Sequence, residues 1–246
     1  DAGFAFCGGI ACEDGTTFES ETVKWRDVEK EEGEEFCMVS NSKYHFSLLS
    51  TRGSVFVIGK GNTKKTSDIT SEDGNVTTKT YAIEPTIFDS SFFDGHEVGV
   101  VACGTNYTVA AAKDGSVWVV GLGVFGMGGK DEYPIGGVEC EHTPTKVTIN
   151  NTLEIDKTLS AANIHVVAVA SGEHHCLLLT REGKVFTWGR GLHGPLGHGN
   201  DDTQARPKMV SAESLNNWEN RVSVVGAGGM HSFAVREDGS VLSWGL

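Results

Sequence analysis

Residues Val169–Gly189 read VASGEHHCLLLTREGKVFTWG, and versions of this stretch occur four times in the chain. The other copies are Val39–Gly59 (VSNSKYHFSLLSTRGSVFVIG), Val101–Gly121 (VACGTNYTVAAAKDGSVWVVG) and Val225–Gly245 (VGAGGMHSFAVREDGSVLSWG), and all four align without a gap. Their closing glycines, Gly59, Gly121, Gly189 and Gly245, are separated by 62, 68 and 56 residues. The opening GFAFCGG, Gly3–Gly9, looks like the degenerate tail of one more repeat. Self-similarity at such a period marks an architecture in which each unit covers the apolar face of its neighbour.

Each copy holds two apolar, β-type runs on either side of a polar residue and a glycine. These pairs are Arg52-Gly53, Asp114-Gly115, Glu182-Gly183 and Asp238-Gly239. Glycine accepts a positive φ without a Cβ clash, so the pattern predicts a tight hairpin at the centre of every repeat. The remaining length of each unit has room for two further strands and a loop, the content of one propeller blade. The spacers read as outer loops: 62–80 is polar, 29–35 is an acidic run, and 130–164 is the longest. No linker divides the chain, so residues 1–246 are read as one domain, with repeats ending near Gly9, Gly59, Gly121, Gly189 and Gly245.

Composition agrees with an all-β protein of short strands. Of 246 residues, 32 are glycine and only 5 are proline, which fits many tight turns. The formal charge of −13 argues against nucleic acid or an anionic membrane as the main partner, since both repel an acidic surface. The six cysteines, at 7, 12, 37, 103, 140 and 176, form no CxxC pair and no zinc spacing. Cys103 and Cys176 sit in apolar runs and read as core residues, in a reduced, intracellular setting, cytoplasmic or nuclear. No apolar run reaches membrane-spanning length.

The segment Val185–Pro207, VFTWGRGLHGPLGHGNDDTQARP, carries a sharper likeness. Its Trp-Gly strand end, G-x-x-G-x-LG-x-G turn and downstream Pro resemble the signature of the regulator-of-chromosome-condensation (RCC1-like) repeat family. Gly172-Glu173-His174-His175 and Gly228-Gly229-Met230-His231 resemble its companion motif. The resemblance implies an all-β, RCC1-type β-propeller of four-stranded blades, with about four to five blades present here. Family members usually have seven, so this chain is read as part of a seven-bladed ring. The resemblance also implies a monomer that binds another protein through its loop face, as a scaffold or regulator and not as a catalyst of covalent chemistry. The alternative it carries is a guanine-nucleotide exchange factor for Ran or a related small GTPase.

Individual residues divide into two groups. His45, His175 and His231 share one repeat position, occupied by Tyr107 in the second copy. A catalytic histidine is needed once, so a residue present in every blade reads as structural, like the hairpin glycines Gly53, Gly115, Gly183 and Gly239. Trp188 and Trp244 end repeat strands and read as packing between blades. The preceding position instead varies in chemistry: Tyr44, Asn106, His174 and Met230. Variable side chains on a fixed scaffold are what a binding face requires, so these four are candidate contact residues. In the Ran exchange factors of the family a histidine at this position meets the GTPase, and His174 matches it; the family's second such histidine falls where this chain has Gly126. Phe125, Leu192 and His193 project from the turns after strand ends and join the candidates. Two G-x-G-x-x-G matches, Gly121–Gly126 and Gly189–Gly194, fall at the same place in two repeats and read as turns, not as a dinucleotide site. No residue pattern implies a cofactor, a metal or a catalytic set.

Overall fold

The computed structural model describes residues 32–43, 45–59, 85–121, 143–147, 149, 164–210 and 221–246, together with the backbone of 63–70 and 77–83. Tyr44, Phe125 and Gly126 lie outside the described residues. The first repeat supplies β1 (Phe36–Asn41), β2 (His45–Ser50) and β3 (Val55–Gly59). A two-stranded antiparallel ribbon, β4 (Thr63–Thr70) and β5 (Thr77–Ile83), then precedes β6 (Thr86–Phe88). The polar stretch 62–80, read from sequence as an outer loop, therefore largely forms this ribbon. The second repeat gives β7 (Val98–Cys103), β8 (Tyr107–Ala112), β9 (Val117–Gly121) and β10 (Thr145–Lys146). The third gives β11 (Val166–Ser171), β12 (His175–Thr180), β13 (Val185–Gly189) and β14 (Gln204–Met209), and the fourth β15 (Val222–Ala227), β16 (His231–Arg236) and β17 (Val241–Gly245).

Three of these repeats are four-stranded sheets, ordered β1-β2-β3-β6, β7-β8-β9-β10 and β11-β12-β13-β14; the fourth is β15-β16-β17. All pairings are antiparallel. The first strands β1, β7, β11 and β15 contact one another in succession, so sheets stack side by side in chain order. Each of these strands carries a register shift near its start, at Phe36/Met38, Val98/Val100, Val166/Ala168 and Val222/Val224. A bulge at one position in every repeat bends each first strand alike.

Strand alternation explains the stacking. Successive side chains of a strand point to opposite faces, and both faces of an inner blade are covered. In β12 Cys176 and Leu178 join a core shared with Val109, Ala111, Val117 and Val119 of the second sheet. Leu177 and Leu179 join the other core, with Val222, Val225 and Ala234 of the fourth. All six residues of β12 are therefore buried, as are all six of β8. Three of the four buried apolar clusters among the described residues lie between blades, and the fourth, Phe46, Leu48, Phe56 and Ile58, lies within the first sheet.

The hairpin glycines fix the spacing of the blades. Gly53, Gly115, Gly183 and Gly239 have φ of 80°, 90°, 77° and 83°. At the first three the next blade's first strand comes very close: a Cβ on Gly115 would lie 2.7 Å from His165 Cα, and one on Gly183 would lie 2.8 Å from Arg221 Cβ. The carbonyls of Gly53 and Gly115 accept from the amides of Val98 and Val166 in the following blade. One end of the molecule is thus a row of tight turns pressed against its neighbours.

Candidate loop-face site

The opposite end carries the turns between first and second strands and the turns after third strands. The antiparallel pairing of His175 with Gly189 and of His231 with Gly245 brings these two sets together. Arg190 donates its amide to the His174 carbonyl at 2.8 Å, and Leu246 does the same to Met230 at 3.0 Å. The residue after each Trp-Gly therefore sits beside the variable position of its own repeat.

Adjacent turns are tied in sequence around the face. Ser42 Oγ donates to the Thr105 carbonyl at 3.4 Å, the Thr105 amide to Glu173 at 3.3 Å, and the Glu173 amide to Gly229 at 3.0 Å. Beneath them the repeated ring at the start of each second strand crosses into the next blade. His45 Nε2 meets Thr108 Oγ1 at 3.0 Å, and His175 Nε2 meets Ser232 Oγ at 2.9 Å. Tyr107 Oη donates to the carbonyls of Gly172 (3.1 Å) and His175 (3.0 Å). Ser232 spends its one hydroxyl proton on the Pro195 carbonyl at 2.8 Å, so the proton in the His175 contact belongs to Nε2 of the histidine. Gly172 and Gly228 lie so close under the rings of His175 and His231 that neither position has room for a Cβ. The first repeat has Ser42 there instead, and its hydroxyl meets His45 Nδ1 at 2.9 Å.

These crossing groups are held neutral. Burial pushes His175 down to about 4, and His45 is lowered for the same reason. Burial raises Tyr107 well above its ordinary value, and pushes the Cys176 thiol up to about 12. Trp188 is fully buried in the core between the second and third sheets. Trp244 donates Nε1–H to the Pro195 carbonyl at 2.7 Å, locking the fourth blade to the turn of the third.

Between the third and fourth sheets the face dips into a shallow depression that is continuous with solvent. It is lined by His174, His175, Arg190, Leu192, His193, Pro195, Gly229 and Met230. Three contact candidates, His174, His193 and Met230, are therefore brought together, with Leu192 beside them. Asn106 is exposed one blade away, on the turn that bonds to Glu173. Arg190 and Pro195 were not singled out by the sequence. The hairpin register would have exposed Arg190, because pairing His175 with Gly189 sets residue 190 opposite residue 174. Pro195 had no comparable signal, since its carbonyl acts only across the blade boundary. The segment Gly189–Gly194 is followed by turns and not by a helix, so no helix N-terminus is available to a dinucleotide there. Among the described residues no cluster of His, Cys, Asp or Glu is placed to hold a metal, and no helix is long and apolar enough to cross a membrane.

Comparison with known proteins matches this architecture. Profiles of the regulator of chromosome condensation (RCC1) repeat match residues 182–235 and 166–194. The human E3 ubiquitin-protein ligase HERC2 is 29% identical over 222 residues, covering 89% of this chain and 4% of that protein. The ultraviolet-B receptor UVR8 of Arabidopsis thaliana is 33% identical over 176 residues, covering 71% of this chain and 35% of the receptor. The crystal structure of Prp20p from Saccharomyces cerevisiae superposes with a TM-score of 0.60 at 21% identity, over 97% of this chain and 52% of Prp20p. The chain thus spans about half of that propeller and much less of the two curated relatives. With its two repeat matches, its recurring four-stranded sheets and these relatives, the chain belongs to the RCC1-like repeat family.

Proposed function

We propose that this chain is a protein-binding module that docks a partner protein on its loop face, as a scaffold or regulator, without covalent chemistry. The observation that carries the reading is the contrast between the two layers of that face. The lower layer, His45, Tyr107 and His175, is bonded from blade to blade, with Tyr107 and His175 buried and His45 half-buried. The upper layer, Asn106, His174, Leu192, His193 and Met230, differs in chemistry from repeat to repeat and stands at least partly in solvent. A rigid base under variable side chains suits recognition, because the base lowers the ordering cost of binding. The buried thiols Cys103 and Cys176 suit an intracellular compartment. The test compares proteins that co-purify with the wild type, with a loop-face variant (Asn106→Ala, His174→Ala, Met230→Ala) and with a hairpin-end variant (Asp114→Ala, Glu182→Ala, Asp238→Ala). The reading requires a partner that the first variant loses and the second retains; a partner lost only from the second would refute it.

A second reading is exchange activity on a small GTPase. It draws support from the place of His174 in the depression and from the similarity to Prp20p, which binds Gsp1p and histones. Such a factor needs only to bind the nucleotide-free GTPase more tightly than the loaded form. Release of a fluorescent GDP analogue from Ran, accelerated by this chain and not by His174→Ala, would establish it. Unaltered release leaves the scaffold reading as the one to pursue.

A further inference from the structure

We propose that the depression between the third and fourth sheets takes an acidic side chain flanked by an apolar one, presented by a segment of the partner protein. This rests on the loop-face reading and specifies its chemistry. The whole chain carries −13, yet the residues lining the depression comprise one arginine, three histidines and no carboxylate. Glu173 lies nearby, against Gly229, but forms no ion pair with Arg190 or His174. The side chains of Arg190, His174 and His193 have no hydrogen-bond or ion-pair partner among the described residues. Some other cations of this acidic chain are engaged, Lys113 with Glu97 at 2.6 Å, Lys146 with Asp94 at 2.9 Å, and Arg221 with the carbonyls of Glu182 and Arg181, whereas Arg206 and Lys208 on β14 are, like Arg190, without such a partner among the described residues.

Around these donors the rim is apolar and exposed. Leu192 and Met230 are 42% and 38% accessible, and Pro195 completes the wall. His193 is held at φ 71°, one of two non-glycine residues in the left-handed region among those described. That conformation is sparsely populated for any residue with a Cβ, and it holds an imidazole at the rim on a turn closed by the Gly194 amide on the Gly191 carbonyl at 2.8 Å. A guanidinium binds a carboxylate in a two-pronged fashion, and adjacent apolar side chains exclude water from that pair. The lining therefore suits Asp or Glu next to a Leu, Met or aromatic residue.

The test is selection of a random 12-residue peptide library on the full chain. Net charge alone would enrich basic peptides, so the proposal predicts the opposite: enrichment of Asp or Glu adjacent to an apolar residue. A synthetic peptide from that pool should bind at least tenfold more tightly than its Gln or Asn counterpart, a comparison made on the wild-type protein that needs no variant. Arg190→Gln should lose the same factor while its circular dichroism stays that of the wild type. Enrichment of basic or purely apolar peptides, equal binding of the amide peptide, or displacement by millimolar inorganic phosphate would each overturn the proposal. The loop-face reading would outlive any of these if a partner is still lost with the Asn106, His174 and Met230 substitutions, and would fall separately if it is not.

Discussion

Acid should destabilise this fold in a window set by His175. The residue is 1% exposed, its Nε2–H is committed to Ser232, and burial holds its pKa near 4 against an ordinary 6.5. The charges of neighbouring His231 and His174 push in the same direction, against a hydrogen bond to the His231 backbone that raises it. A histidine kept neutral by folding binds its proton more readily when unfolded, so stability is complete above pH 6.5 and declines as pH falls towards 4. At 1.36 kcal/mol for each unit of difference, the limiting loss from this one group is about 3 kcal/mol, of which about 2.5 is reached by pH 4.5. His45 and His198 are lowered by burial as well and add to the total. Comparison with His175→Gln separates the share of His175. Carboxylates lowered by local hydrogen bonds, Asp89 and Asp114, give up their contribution mainly below their ordinary 3.8, outside the window. Urea unfolding at about pH 7.5 and pH 4.5 should therefore show a loss larger in the wild type than in His175→Gln by about 2 kcal/mol. Equal losses in the two proteins, or a His175 ring resonance titrating near 6.5, would refute the reasoning.

Three further outcomes follow from the blade junctions. Tyr107→Phe removes a buried hydroxyl that donates to Gly172 and His175, and should lower unfolding free energy by about 1–3 kcal/mol, read as a shift in the urea midpoint. Gly115→Ala combines φ 90° with a Cβ 2.7 Å from His165 Cα, and should cost well over the 1–2 kcal/mol expected of Gly194→Ala, where φ is 73° and the space is open; similar midpoints for the two would contradict the junction described. Brief alkylation of the native protein followed by peptide mass analysis should label exposed Cys37 and spare Cys103 and Cys176, whose thiols burial raises; labelling of Cys176 at the rate of Cys37 would contradict its burial.

Much of the fold was legible because the repeat is written in local terms. A polar residue before Gly53, Gly115, Gly183 and Gly239 marks a hairpin, and the apolar runs on either side mark its strands. The recurring bulge in β1, β7, β11 and β15 was not legible, because no residue type is confined to it. The β4–β5 ribbon was also missed, since its strands are polar and carry no alternation to mark a buried face. At the candidate site, aligning repeats separated the position that varies from the one that recurs. That alignment could not show which variable residues share a surface. His174 and Met230 meet because blades three and four are adjacent, whereas Arg190 and Pro195 enter through strand register and a carbonyl used across the boundary. Those are long-range facts, settled by packing.

The measurement closest to the central claim is site-specific photocrosslinking in the cells that make the protein. A photoreactive phenylalanine analogue is placed at Asn106 or Met230 on the loop face, or at Asp114 or Asp238 at the hairpin end, all at exposed turns. Docking on the loop face predicts discrete protein adducts from the first pair and none from the second. Adducts from the hairpin end alone, or none from the loop face, would contradict it.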